Sequence, residues 1–148
     1  MKEKKVQSPG EKHLEEMKEL DGLIKSLKQQ IRYEYNMIID TAVHYKDIQV
    51  QSGGVKDIIG DKVPELTELE DQLTAYVKEL SGRKQKTLSI IKSMSTRRQR
   101  VIMIYFMQNK TIEKTAEKMN KSYTWTWNTI QAAVVEFDKL FQKYEKSV

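Results

Sequence analysis

Apolar residues in the first ninety positions recur at alternating steps of three and four, and this spacing constrains the fold more than any other feature. In the first stretch, from about residue 11 to about Tyr45, the series is Met17, Leu20, Ile24, Leu27, Ile31 and Ile38. Glu34 interrupts the series, and we expect Tyr35 to lean into the gap. Such a stripe is typical of a helix that packs lengthwise against a partner helix. It predicts a first helix of about 33 residues, roughly 50 Å long.

A second stripe follows an interruption at Lys46–Gly60, where Gly53-Gly54 and Gly60 indicate a break. We expect Asp61 to cap the next helix and Pro64 to lie in its first turn. Its apolar series is Leu66, Leu69, Leu73, Tyr76 and Leu80, and it resumes at Ile90 and Met94 beyond Gly82, a candidate hinge. Two such helices with a short connection predict an antiparallel, coiled-coil-like hairpin over residues 11–85. Their long apolar seams also predict a homo-oligomer formed through these helices.

The remaining residues, 86–148, predict three further helices. Ser95 is placed to cap a helix over Thr96–Gln108, and Thr111 to cap a short helix that ends at Met119. Ser122 is placed to cap a longer helix that runs to about Lys143. One face of that helix carries Ile130, Val134, Phe137 and Phe141. A short helix, a turn of about three residues and a longer helix form the helix-turn-helix pattern. The chain is therefore expected to be all-α.

Basic residues are concentrated in the C-terminal half. Residues 1–60 contain ten Lys/Arg and ten Asp/Glu, and residues 61–80 contain two and six. Residues 81–148 contain fourteen Lys/Arg and five Asp/Glu. A basic excess of this kind recruits polyanions, because neutralised phosphates release their condensed counterions. The alternative is an ordinary lysine-rich surface.

Several classes of function lack their sequence signatures. The chain has no cysteine, which excludes thiolate metal sites and disulfides. His13 and His44 lack metal-ligand spacing and are expected at the surface. There is no phosphate-binding glycine-rich loop and no His-Glu-x-x-His motif, so we expect neither an enzyme nor a cofactor. No apolar run approaches the roughly 20 residues that span a bilayer, and the polar N-terminal stretch does not fit a signal peptide. We expect a cytoplasmic protein without a membrane partner.

The helix-turn-helix interpretation depends on individual positions. Ala116 is a small residue where the short helix must pass beneath the longer one, and Ile130 is the apolar anchor of the longer helix. Asn120 stands where glycine is usual and can adopt the left-handed conformation. Lys121 and Thr126 both occupy positions that usually hold aliphatic residues. We expect one of Trp125 and Trp127 to fill the space that Thr126 leaves.

Two segments of this region resemble region 4 of bacterial sigma factors. The run Met94–Phe106 is similar to its opening, with a short polar cap, Arg-Gln-Arg and an aliphatic helix. Thr111–Met119 is similar to its Thr-x-Glu-Glu-Ile-Ala-Glu-x-Leu segment, with Thr115 in place of the usual isoleucine. This sigma-70 region 4-like similarity covers about residues 86–144. The wider layout, which includes Asp61-Lys62-Val63, is similar to small phage regulators of the ArpU and RinA type, which are regarded as activators of phage late genes.

The resemblance implies that the longer helix lies in the major groove of DNA. The residues implied to contact bases are Tyr123, Thr124, Trp127, Asn128 and Gln131. The residues implied to contact phosphates are Arg97, Arg98, Arg100, Lys110, Lys114 and Lys121. Asn and Gln can pair in bidentate fashion with adenine, and Thr and Trp can contact a thymine methyl. The alternative is that both groups are ordinary solvated surface residues.

Three functional hypotheses follow. The first is a sequence-specific, phage-encoded transcriptional regulator that binds double-stranded DNA as a homo-oligomer, with host RNA polymerase as a further candidate partner. The second is a small terminase subunit for DNA packaging, although in those proteins the DNA-binding domain usually comes first in the chain. The third is a helical adaptor that binds proteins through its apolar seams.

Overall fold

The computed structural model describes residues 6–47 and 54–148, and it describes the side chains of residues 6–44 and 60–148. Within this part of the chain all regular structure is helical, which confirms the all-α prediction. The helices are α1 (Pro9–Asp47), α2 (Gly54–Ile91), α3 (Thr96–Ile102), α4 (Ile112–Met119) and α5 (Tyr123–Ser147), and a π-helical segment, Met103–Met107, continues α3. None of these helices, over the residues described, combines the length and the apolar character needed to cross a membrane.

The chain packs as two compact units. Unit 1 combines Met1–Asp21 with Leu80–Val148, and unit 2 comprises Gly22–Glu79. The beginning of α1 thus belongs with the C-terminal helices, whereas the sequence placed it only in the hairpin region, residues 11–85. The C-terminal helices therefore share their core with a part of the chain that lies far away in sequence.

Contacts between α1 and α2 in unit 1 follow an antiparallel register. The His13 ring nitrogen Nε2 lies 2.9 Å from Thr87 Oγ1, and Arg83 forms an ion pair with Glu16 at 2.9 Å. The residue number on α2 falls as the number on α1 rises, as it must in an antiparallel pair. In unit 2, Lys62 on α2 forms an ion pair with Glu34 on α1 at 3.3 Å.

Unit 1 has an extensive apolar core. Phe106 and Phe137 are almost completely buried, together with the first two apolar residues of α1, Leu14 and Met17. The α5 side of the core consists of Thr126, Ile130, Ala133, Val134, Phe137 and Phe141. These positions lie three or four residues apart, so they form one face of the helix. The opposite face of α5 is left for solvent.

Unit 2 buries less among its described side chains, residues 22–44 and 60–79. There, Ile24, Leu27 and Leu66 are the buried apolar residues, whereas Ile31, Ile38, Leu69, Leu73 and Tyr76 are half-buried. Its exposed large apolar residues are Leu23, Tyr33, Tyr35, Met37, Ile39, Val43, Val63 and Val77. The expectation that Tyr35 fills the gap at Glu34 is wrong, because the Tyr35 side chain is 52% exposed. Glu34 is itself half-buried at this position of the apolar series, and its ion pair with Lys62 balances its charge.

The predicted start of the second helix is also wrong. Helix α2 begins at Gly54, so Asp61 lies inside the helix and does not cap it, and Pro64 is an interior residue. Proline removes one backbone donor and crowds the carbonyl four residues earlier, which here belongs to Gly60. Both Gly60 and Pro64 are exposed, so water can hydrate that carbonyl and the helix continues. The remainder of the predicted break, residues 48–53, lies outside the described residues.

His13 is buried, contrary to the expectation that it lies at the surface. Only 6% of it is exposed, and its ring packs against Phe137 and Phe141, with centroids 6.1 and 5.2 Å away. Burial lowers its pKa from the ordinary value, and the nearby charges of Arg83 and Lys86 act in the same direction. The ring makes a hydrogen bond to Thr87 through Nε2 and another to the backbone of Arg83, and such partners allow an imidazole to be buried in this core. His44 is exposed, as expected.

Candidate nucleic-acid interface

Helices α4 and α5 are joined by a three-residue turn at residues 120–122. Asn120 adopts the left-handed conformation that the sequence predicted, with φ 57° and ψ 46°. Its N–H and that of Lys121 donate to carbonyls at the end of α4, at 3.1 and 3.0 Å. Ser122 Oγ then accepts the Trp125 N–H at 3.1 Å and caps α5, as predicted. Ala116, which is buried, provides the small side chain expected in this part of α4.

The five residues predicted to contact bases are all exposed at the start of α5. They are Tyr123, Thr124, Trp127, Asn128 and Gln131. The polar members Thr124, Asn128 and Gln131 are spaced by four and three residues, so they lie along one stripe of the helix. Trp127 is 45% exposed and is not part of the core. The structure therefore brings these side chains together on the solvent side of α5.

Thr126 was expected to leave space that Trp125 or Trp127 would fill. Thr126 is itself fully buried, and its hydroxyl donates to the Ser122 carbonyl at 2.8 Å. A β-branched residue with a locally satisfied hydroxyl can occupy a position that usually holds valine or isoleucine. Of the two tryptophans, Trp125 is half-buried and Trp127 is exposed.

The residues predicted to contact phosphates fall into two groups. Exposed cations are found at Arg97, Arg100, Lys110, Lys114 and Lys121. Arg98 differs, because it is half-buried and forms an ion pair with Glu136 of α5. This pair ties α3 to α5 and leaves Arg98 less available to an external anion. Lys114 also has a partner, Glu117, at 3.4 Å, but both side chains are largely exposed and such pairs are weak.

Trp125 is a contributor that the sequence reasoning did not assign to the interface. The guanidinium carbon of Arg97 lies 5.6 Å from the Trp125 ring centroid, and Lys121 Nζ lies 5.3 Å from it. Both distances are within the range of cation–π attraction. One part of this arrangement is readable from sequence, because Lys121 and Trp125 are four residues apart. The approach of Arg97 depends on the packing of α3 against α5.

A second set of contacts fixes the connection between α3 and α4. Lys18 of α1 donates to the carbonyls of Tyr105 and Lys110 at 2.6 and 3.3 Å, and its Nζ lies 3.8 Å from the Tyr105 ring centroid. Asn109 is left-handed, with φ 54°, and its amide donates to Asp21 at 2.9 Å. Burial raises the pKa of Tyr105. The π-helical segment that contains Tyr105 had no sequence signal.

Within the described residues, no group of three His, Asp or Glu side chains is placed to hold a metal ion. The exposed stripe of α5, the basic residues around it and Trp125 with its two cations form the candidate interface. Comparisons with models of protein families, with curated proteins and with solved structures found no match to this chain.

Proposed function

We propose that this chain is a sequence-specific DNA-binding regulator of transcription, phage-encoded and acting on late genes, with α5 as its recognition helix. The observation that carries the proposal is the two-sided character of α5. One face lies in the core of unit 1, and the first turns of the other expose Thr124, Asn128 and Gln131. An exposed helix of this kind fits the major groove, which is about 12 Å wide.

The charge around α5 supports a polyanionic ligand. Residues 81–148 contain fourteen Lys/Arg against five Asp/Glu, and the first turn of α5 contains no acidic residue. In such a complex the cations hold the sugar-phosphate backbone and fix register, while side chains on the helix distinguish bases. Asn128 and Gln131 carry the carboxamides that pair with adenine in bidentate fashion.

The exposed apolar residues of unit 2 support the second part of the proposal, self-association through the N-terminal helices. Two linked DNA-binding units raise the effective concentration of the second once the first is bound, and they can read repeated half-sites. The proposed setting is the cytoplasm of the bacterial host. The sigma-like similarity extends the proposal to contact with host RNA polymerase.

The proposal is tested by comparing affinities for two kinds of duplex at the same salt concentration. Fragments of the source genome that the protein retains are selected and sequenced, and the most enriched one is measured against a random duplex of equal length. We expect the enriched fragment to bind at least about 10³-fold more tightly. Equal affinities would contradict the regulator proposal, and no detectable binding at low salt would favour a protein adaptor. Native mass spectrometry measures the oligomeric state of the protein. A dimer supports the regulator proposal, and a large closed ring supports a DNA-packaging subunit.

A further inference from the structure

Two cations from different elements share one aromatic ring. Arg97 comes from the first turn of α3, and Lys121 comes from the turn that precedes α5. Both lie within 6 Å of the centroid of Trp125. The ring thus gathers two positive charges at the end of α5 that carries the proposed base-reading side chains.

Neither cation of this pair has an ion-pair partner among the described residues. By contrast, Arg98 and Lys114 each form an ion pair, with Glu136 and Glu117. Because both charges lie near the same ring centroid, they are no more than about 11 Å apart, and an anion near the ring is attracted by both. Both cations are exposed, so a phosphate group can reach them from solvent.

We propose that Trp125 is a positioning residue that holds Arg97 and Lys121 as a two-cation clamp for one backbone phosphate of duplex DNA. This inference rests on the proposed function. The ring contributes by restricting two long, flexible side chains before DNA arrives, so less conformational freedom is lost on binding. The clamp would fix the position of α5 along the groove and leave base selection to Asn128 and Gln131.

The test measures the salt dependence of duplex binding by fluorescence anisotropy, using the full chain and one labelled duplex. The double variant Arg97→Gln/Lys121→Gln is expected to reduce the slope of log affinity against log salt by about one, because one phosphate is no longer neutralised. Between 50 and 200 mM salt the wild type would then lose about three- to fourfold more affinity than the variant. Trp125→Leu, which keeps both charges, is expected to move the slope in the same direction, and Trp125→Phe to restore part of it.

A double-mutant cycle separates positioning from a merely structural role. If Trp125 acts through the two cations, adding Trp125→Leu to the Arg97→Gln/Lys121→Gln variant has little further effect on affinity. Tyr144→Leu is the matched control, because Tyr144 is an exposed aromatic residue near the other end of α5 and also lies close to a cation, Lys86; it is expected to leave the salt slope unchanged. Circular dichroism and thermal melting establish that each variant remains folded, and Trp125→Phe replaces Trp125→Leu in the cycle if the latter unfolds.

The inference is overturned if a folded Trp125 variant keeps the wild-type slope, or if the effects of the ring and of the cations simply add. It is also overturned if the slope is unchanged in the Arg97→Gln/Lys121→Gln variant, since the cations would then not contact phosphate. In these three cases the wild type still binds DNA and the proposed function stands. Failure of the wild type to bind any duplex contradicts the proposed function instead.

Discussion

Among the side chains that the structure describes, the two compact units of this chain bury their apolar residues to different extents. In unit 1 the core residues of α5, from Thr126 to Phe141, are enclosed by α1, α2, α3 and α4, and the exposed surface around the start of α5 combines polar and basic side chains with the rings of Tyr123 and Trp127. In unit 2, Ile24, Leu27 and Leu66 are buried while many large apolar side chains face solvent. The core residues of unit 1 are therefore buried within one chain, and polar side chains at the start of α5 are exposed to solvent. The described part of unit 2 instead exposes apolar side chains along its helices, and this is the surface that we propose for self-association.

The largest effect is expected from truncation of the unit 1 core. Phe137 is completely buried and contacts the rings of His13 and Phe141. Phe137→Ala should reduce the free energy of unfolding by about 3–5 kcal/mol, because transfer energy is lost and a cavity remains. Urea unfolding followed by circular dichroism measures the change. Val135→Ala, at a 58% exposed position two residues earlier, is the matched control and should change it by less than about 0.5 kcal/mol.

A pair of glycine substitutions tests how closely α1 packs on α5. The Gly10 N–H donates to Asp138 Oδ1 at 2.8 Å, and a Cβ on Gly10 would lie 2.6 Å from the Asp138 Cα. Gly10→Ala should therefore reduce the free energy of unfolding by about 1–3 kcal/mol, because backbone must move. Gly82, inside α2, has open space at the same point. Gly82→Ala should instead stabilise the protein by roughly 0.5–1 kcal/mol. Equal effects of both substitutions would show that α1 does not pack against α5 in this way.

The pH dependence of stability should report on the same core. The pKa of His13 is lowered in the folded state by burial first and by Arg83 and Lys86 next, whereas the charge of Glu16 raises it. The unfolded state therefore binds the proton more readily than the folded state. Because proton binding favours the state that binds more tightly, the free energy of unfolding falls as the pH falls. The contribution of neutral His13 to the free energy of unfolding should be fully present above about pH 6.5. It should decrease as the pH falls below that value. His13→Phe should flatten this decrease in urea titrations at several pH values, and His44→Gln should retain it.

The smallest effect on folding is expected in unit 2. Ile39 is 50% exposed, so Ile39→Glu should change the free energy of unfolding of the dilute monomer by less than about 0.5 kcal/mol. The same change places a charge on the apolar surface and should weaken self-association, measured by analytical ultracentrifugation. Ser26→Glu, at an exposed polar position on the same helix, serves as the control. If Ile39→Glu left association intact, the apolar surface of unit 2 would not be the contact between copies.

Local signals predicted the C-terminal helices well. Ser95, Thr111 and Ser122 each accept an N–H three residues later, and Asn120 adopts its left-handed turn, because caps and turns depend on neighbouring residues. The exposure of the predicted base-contacting residues followed from the spacing of the apolar face of α5.

The features that were missed depend on distant parts of the chain. His13 is buried because Thr87 and the aromatic rings of α5 surround it, and Arg98 is withdrawn from solvent by Glu136. Neither pairing could be predicted from local sequence, because the partners are 74 and 38 positions apart. The start of α2 was misplaced for another reason, since Pro64 and Gly60 usually mark a boundary but here lie in an exposed helix interior that tolerates them.

The central claim is that the exposed stripe of α5 reads bases, and the most direct test is the sequence preference of three proteins in a randomised duplex library. The wild type should enrich a defined site. Asn128→Ala/Gln131→Ala should relax that preference, with about 1–3 kcal/mol of discrimination lost at each contacted position. Gln142→Ala changes an exposed amide near the other end of the same helix and should leave the preference intact. An unchanged preference in Asn128→Ala/Gln131→Ala would contradict the claim.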